Sequence, residues 1–269
     1  MDIVCERNGN CTTVLCNGIC YKLNLIKSKV SPTDFRLKLK NRERRLGAKT
    51  NVDLRDIMPP IWDQGKVASC TAQAICATVY PCLREKFEPS RLFHYFCTRL
   101  SEGYSIQEDS GAEMKVACDV AIRHGFVPES SWPYIDENFA KRPSKECFSV
   151  AKKYKQKLAY TRLDNDVESM IYVLDEGYPF VIGVFVTKQW FSPDCIRTGN
   201  LEMIESEEDI LGGHAVVCVG YDLAKRVFIL RNSWGNKWGD NGYCYIPFDY
   251  LSHQEYALDA FVLRCVKIN

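Results

Sequence analysis

The sequence predicts an α+β fold, with helices in the first half of the chain and strands in the second. Apolar residues recur at three-and-four spacing over residues 71–84, which is typical of an amphipathic helix. Short runs rich in β-branched residues predict strands in the second half, at 181–186, 214–219, 227–230 and 260–266. Because the two kinds of segment are segregated along the chain, the pattern favours α+β over alternating α/β.

The two predicted helices have recognisable boundaries. The first spans Thr71–Arg84 and follows the turn-forming residues Asp63-Gln64-Gly65, so Cys70 lies at its start. The second runs from about Ala112 to His124, where Gly125 ends it.

Composition and charge exclude several classes of protein. The chain has 269 residues, of which 46% are hydrophobic and 26% charged, as in ordinary globular proteins. Lys plus Arg number 35 against 34 Asp plus Glu, so no net field attracts nucleic acid or an acidic membrane. The stretch Met1–Arg7 lacks the apolar run of a signal peptide, and no later run is long enough to span a membrane. We expect a soluble monomer without nucleic-acid or membrane partners, in a compartment that the sequence leaves open.

Residues 1–50 differ from the rest of the chain. They contain four of the fourteen cysteines within the first twenty positions, followed by a basic stretch at 36–45. The cysteines suggest either a disulfide-stapled hairpin or a metal knuckle, but their spacing does not match the usual zinc pattern. We therefore expect no metal and no cofactor, and we place a boundary near Gly47–Thr50.

Cys70 has a setting that suits a catalytic thiol. A nucleophilic thiol needs a lowered pKa, a nearby imidazole and donors aimed at a developing oxyanion. The unpaired amides at the start of a helix stabilise a thiolate. Position alone is insufficient, because most cysteines at such places are simply buried core residues. Cys76, Cys118 and Cys218 lie in apolar patterns and are expected in the core.

Three further segments change the interpretation of Cys70. Gln64–Cys70, Gly213–Tyr221 and Asn232–Tyr243 resemble, in this order, the nucleophile, histidine and asparagine segments of the papain and cathepsin family. The resemblance extends from about Val52 to the C-terminus. The run Met58–Gln64 is more similar to the bacterial and viral branches than to the animal cathepsins.

The resemblance implies a papain-like, two-lobed peptidase domain over residues 51–269. A helical lobe at about 64–135 and a β-rich, barrel-like lobe at about 155–269 would enclose the active-site cleft. In this family Cys70 would be the nucleophile, His214 its proton partner and Asn232 the residue that orients the histidine. Gln64 would donate to the oxyanion. The implied activity is that of a cysteine protease that hydrolyses polypeptides.

The resemblance also assigns a substrate-binding strip. The family usually has two glycines where this chain has Ser110-Gly111, and substrate peptides lie extended along that strip. Gly213 and Trp234 would border the substrate, and Trp234 would shield the bond between histidine and asparagine from water. Thr71 and Val67 replace a tryptophan and a disulfide-forming cysteine of the family, but no catalytic atom is lost.

Family members are commonly made as zymogens, so we interpret residues 1–50 as a propeptide or regulatory segment that inhibits the enzyme intramolecularly. Three alternatives stay open at this point. The chain could be a catalytically silent, peptide-binding relative, or a zinc-binding interaction protein organised by its N-terminal cysteines. It could also be another thiol hydrolase, such as a transglutaminase or deubiquitinase, although the asparagine segment favours the papain branch.

Overall fold

The computed structural model describes residues 3–8, 11–29, 31, 34–37, 49–155, 157–204, 206 and 209–266; most of the basic stretch at 36–45 lies outside them. The strands in these ranges are β1 (Ile3–Asn8), β2 (Cys11–Cys16), β3 (Ile19–Leu23), β4 (Leu25–Ile26), β5 (Asn51–Asp53), β6 (Ala112–Glu113), β7 (Leu158–Leu163), β8 (Phe180–Thr187), β9 (Ile210–Asp222), β10 (Val227–Arg231), β11 (Tyr243–Pro247) and β12 (Ala257–Cys265). The helices are α1 (Cys70–Val79), α2 (Arg91–Ser101), α3 (Met114–His124), α4 (Lys145–Lys153), α5 (Val167–Asp175), α6 (Pro193–Thr198) and α7 (Phe248–Ser252). Within the part of the chain that is described, none of the helices combines the length and apolar character needed to cross a bilayer.

Helices α1 and α3 lie where the sequence predicts helices, with shifted ends. Helix α1 begins at Cys70 and continues as a 3-10 turn over Tyr80–Cys82. It stops short of the expected Arg84 because Pro81 has no amide hydrogen to continue the α-helical ladder. Helix α3 ends at His124 as predicted, and Gly125 follows it with a φ of 78°.

A seven-stranded antiparallel sheet forms the β-rich part of the molecule. The order is β11-β10-β9-β8-β12-β7, and β5 pairs with β9. Strands β8, β9, β10 and β12 correspond to the four predicted apolar runs. The α+β class is confirmed, although the pairings among the described strands leave the sheet open rather than closed into a barrel.

Both faces of this sheet are buried. Along β9, Val216 and Cys218 belong to one hydrophobic core, whereas Val217 and Val219 belong to a second core that includes residues of α1 and α3. Side chains alternate between the faces of a strand, so a strand covered on both sides needs a continuous apolar run. The three cysteines that we expected in the core, Cys76, Cys118 and Cys218, are all fully buried.

The N-terminal cysteines lie in a small sheet of their own. Strands β1, β2 and β3 pair antiparallel in sequence order. Asn17 and Gly18, with φ values of 51° and 78°, form the tight turn between β2 and β3. All fourteen cysteines are free thiols, and the described residues contain no group of three or more His, Cys, Asp or Glu side chains able to hold a metal ion. The expected stapled hairpin is therefore a hydrogen-bonded sheet without disulfides.

Candidate active site

Cys70 occupies the first position of α1, with Ser69 as the preceding cap residue. The backbone amides of Cys70, Thr71, Ala215 and Asn24 all point at its sulfur. Ala215 directly follows His214 on β9, so the packing of α1 against the sheet brings the thiol beside the histidine segment. Only 1% of the Cys70 surface is exposed.

His214 and Asn232 are joined by a buried hydrogen bond. The imidazole Nε2 lies 2.8 Å from Asn232 Oδ1. Because an amide oxygen only accepts, this bond selects the tautomer that carries its proton on Nε2. The other ring nitrogen, Nδ1, has no hydrogen-bond partner among the described residues. It is therefore available to accept or donate a proton.

Trp234 stacks on the imidazole of His214. The ring centroids are 4.8 Å apart and the planes are inclined by 24°. Trp190 contacts the same histidine edge-on, at 6.4 Å. Two large aromatic rings thus pack against His214, and the shielding role predicted for Trp234 stays a prediction.

Both the oxygen and the nitrogen of the Gln64 side-chain amide form hydrogen bonds. Its Oε1 accepts a 2.7 Å hydrogen bond from Ser233 Oγ. Its Nε2 donates to the carbonyl of Val67 at 3.1 Å and to the carbonyl of Lys22 at 3.3 Å. The amide group therefore donates both to the loop that leads into Cys70 and to a backbone carbonyl of the N-terminal segment.

The predicted substrate strip is also in contact with the N-terminal segment. Strand β4 pairs in parallel with β6, which immediately follows Ser110 and Gly111. Gly111 has a φ of 74°, and a Cβ on it would lie 2.0 Å from the carbonyl oxygen of Asn24. A Cβ on Gly213 would lie 3.0 Å from the carbonyl oxygen of Leu25. Both glycines are needed for this close approach of two backbones.

Burial shifts the pKa of the Cys70 thiol and the pKa of the His214 imidazole in opposite directions. Both shifts favour the neutral group. Burial raises the pKa of Cys70 to about 11, although the four surrounding amides favour the thiolate. Burial lowers the pKa of His214 to about 4, although the hydrogen bond to Asn232 opposes this. With the N-terminal segment in place, the Cys70 thiol and the His214 imidazole are therefore both neutral at pH 7.

The structure adds contacts that the sequence pattern did not predict. Asp109 accepts hydrogen bonds from the amide of Ala68, at 3.0 Å, and from the hydroxyl of Tyr95, at 2.8 Å. It thereby fixes the loop that leads into Cys70. The sequence pattern also gives no signal for Lys22 and Asn24, because neither belongs to a motif and their contacts are with residues far along the chain.

The match to known proteins agrees with this geometry. Residues 48–256 match the family described as papain family cysteine protease. The chain belongs to the papain family. Membership places it among the cysteine peptidases, which are hydrolases.

Relatives from a virus and a bacterium support the predicted branch of the papain family. An uncharacterized peptidase C1-like protein of Acanthamoeba polyphaga mimivirus is 36% identical over 214 residues, which are 75% of this chain and 68% of that protein. The crystal structure of xylellain, a cysteine protease from Xylella fastidiosa, is 32% identical with a TM-score of 0.83, covering 91% of this chain and 96% of that one. Digestive procathepsin L 3 of Tenebrio molitor shares the papain fold, at 22% identity and a TM-score of 0.66 over 85% and 73% of the two chains.

Proposed function

We propose that this papain-family chain hydrolyses peptide bonds through Cys70 and His214, with Asn232 and Gln64 in supporting roles. In the uncovered site a Cys70 thiolate would be stabilised by the amides at the start of α1 and by a His214 imidazolium. Asn232 holds the imidazole plane, and Gln64 directs its amide hydrogens toward the site. The buried hydrogen bond between His214 and Asn232, at 2.8 Å, carries the proposal because it leaves Nδ1 for the thiol.

The reaction proceeds in two steps. The Cys70 sulfur attacks the scissile carbonyl carbon, and the carbonyl oxygen becomes an oxyanion that accepts hydrogen bonds from Gln64 Nε2 and the Cys70 amide. His214 then gives its proton to the departing amine, which leaves a thioester on Cys70. Water attacks the thioester, with His214 accepting its proton. This step releases the carboxylic acid and restores the thiolate and the imidazolium.

Residues 1 to about 50 would act as the inhibitor of the peptidase domain, residues 51–269, so that the chain is made as a zymogen. Three contacts support this proposal. The carbonyl of Lys22 accepts from the Gln64 amide, the amide of Asn24 points at the Cys70 sulfur, and β4 pairs with the strip after Gly111. A substrate needs the same groups, so it cannot bind until the segment leaves.

A buried ion-pair cluster of Asp34, Lys115, Arg162 and Asp259 attaches the segment to the body. Asp34 lies 2.8 Å from Lys115 Nζ and 3.2 Å from Arg162 Nε, and its side chain is 3% exposed. Arg162 also pairs with Asp259, which accepts a 2.6 Å hydrogen bond from the Ser28 amide. Helix α3, strand β7 and strand β12 each hold the segment through one of these residues.

Activation of the full chain tests both parts of the proposal. The chain is incubated at acid pH with a reductant, new N-termini are sequenced, and hydrolysis of an unfolded protein is followed. We expect cleavage between Lys49 and Val52, the appearance of activity, and labelling of Cys70 by a thiol-directed epoxide. Cys76→Ala, which alters another buried thiol of α1, serves as the matched control and should activate normally.

Two outcomes would contradict the proposal, each in a different part. Full activity of the uncleaved chain would refute the zymogen. Release of the segment without hydrolysis or labelling of Cys70 would favour a catalytically silent, peptide-binding protein.

A further inference from the structure

Two cysteines far from the candidate active site lie against each other. Cys82 is the last residue of the 3-10 turn that extends α1, and Cys265 is the last residue of β12. The Cys265 thiol donates a hydrogen bond to the Cys82 carbonyl oxygen at 3.1 Å, and the same thiol interacts with the Cys82 side chain. Cys265 is exposed and Cys82 is partly exposed, so small molecules in solution can reach the pair.

Other cysteines of the chain lack this combination of contact and access. In the N-terminal sheet, Cys5 faces Val14 and Cys20 faces Leu15 across the strands, so neither is directly opposite another cysteine. A buried group of three, Cys195, Cys218 and Cys244, lies together in the core, where an oxidant in solution cannot reach it.

We propose that Cys82 and Cys265 form a reversible disulfide when the protein meets a low-molecular-weight disulfide of the glutathione type. One protein thiolate attacks a sulfur of the small disulfide, which forms a mixed disulfide and releases one small thiol. The second protein thiolate attacks the protein sulfur of that mixed disulfide and releases the other small thiol. Two protein thiols are oxidised and one small disulfide is reduced to two thiols.

Two basic side chains act on the Cys265 thiol of the pair. Burial and the neighbouring Cys82 sulfur raise the pKa of Cys265 to about 12, and the positive charges of Arg84 and Lys86 oppose this only in part. Arg84 and Lys86 favour the entry of an anionic disulfide such as oxidised glutathione.

The bond would connect two distant parts of the chain. The two cysteines are 183 positions apart, and a crosslink between distant positions removes much of the conformational entropy of the unfolded chain. It would tie the helix that begins with Cys70 to the strand that contains Asp259 of the ion-pair cluster. Cys70 itself is buried under the N-terminal segment, so the oxidant would close this pair without consuming the nucleophile.

Titration of the intact chain with mixtures of reduced and oxidised glutathione tests this proposal. Free thiols are alkylated at each ratio, and the protein is digested and mapped by mass spectrometry. We expect a peptide that links residues 82 and 265, and a melting temperature about 5–10 °C above that of the reduced chain. Cys82→Ser and Cys265→Ser should each abolish both effects, whereas Cys5→Ser, at an exposed cysteine without a partner thiol across the strand, should keep them.

The mapping on the unaltered chain does not depend on whether a variant folds. The proposal is overturned if Cys5 becomes glutathionylated while no linked peptide forms at any ratio. It is also overturned if the shift in melting temperature survives in Cys82→Ser or Cys265→Ser.

Discussion

The N-terminal segment and the site beneath it are held in place by different kinds of contact. In the site, Asn232 Oδ1 accepts from His214 and from the Ser233 amide, and the Ser233 hydroxyl continues to Gln64. These neutral bonds are buried within the body of the protein. The segment is attached by a two-residue strand pairing, by ion pairs through Asp34, and by apolar packing that includes Tyr21 against Trp234. The hydrogen bonds that orient His214 therefore include no residue of the segment, and we expect them to persist when the segment leaves.

The two regions also respond differently to pH. Amide and hydroxyl groups do not titrate near neutral pH, so the chain of bonds around Asn232 is constant. Asp34 does titrate. Burial alone would raise its pKa, but hydrogen bonds from Lys115 and the Ser31 amide, with the charges of Lys115 and Arg162, lower it. Acid therefore weakens the attachment of the segment through Asp34, whereas in the site it acts on His214, whose pKa burial lowers to about 4.

The largest expected loss of activity follows from substitution of the proposed nucleophile, Cys70, and not of another cysteine on α1. After release of the segment, Cys70→Ala should lower kcat/KM for a peptide substrate by about 10⁴-fold or more, because no sulfur remains to form the thioester. Cys76→Ala should retain activity within a few-fold, and comparable losses in the two variants would show that α1 is merely damaged by substitution.

A smaller loss should follow from removing the amide donor of Gln64. Gln64→Glu keeps the size of the side chain and its acceptor for Ser233, but a carboxylate cannot donate to an oxyanion. We expect kcat to fall by about 10²-fold with little change in KM. Gln107→Glu adds the same negative charge at an exposed glutamine and is the control. Unchanged kcat in Gln64→Glu would remove Gln64 from the oxyanion site.

The attachment of the segment should be more fragile than the site. Asp34→Asn removes the negative charge from a pair in which Arg162 is 7% exposed and Asp34 3% exposed. Loss of a charged hydrogen bond of this kind corresponds to about 1.5 kcal/mol, so release at neutral pH should be about tenfold faster. The measurement is the rate at which activity appears, and Asp194→Asn, at an exposed carboxylate, is the control. An unchanged rate would show that Asp34 does not hold the segment.

The pH dependence of release should give the smallest effect. The folded pKa of Asp34 is lowered, so its contribution is complete above the unfolded value of about 3.9 and is lost as the pH falls through the folded value. Release should therefore accelerate several-fold below about pH 4 and change little between pH 5 and 7. Asp34→Asn should lack most of this acceleration. A rise centred near pH 6 in the unaltered chain would point to a group other than Asp34.

Much of the fold and of the candidate site is encoded locally, and the sequence alone predicts it. The apolar spacing after Cys70 predicts α1, and the β-branched runs predict β8, β9, β10 and β12. The segments around His214 and Asn232 each consist of a few consecutive residues. Such features depend on helix and strand periodicity within a short window, so they can be read without knowledge of the packing.

Only the tertiary structure decided which distant residues meet at the site and along its cover. Lys22 contacts Gln64 across 42 positions, and Ser28 contacts Asp259 across 231. Cys82 and Cys265 are likewise far apart in the sequence and close together in the structure. None of these pairs leaves a periodic signal, because their contacts arise when separate elements pack together, and the free energy of that packing is shared by the whole core.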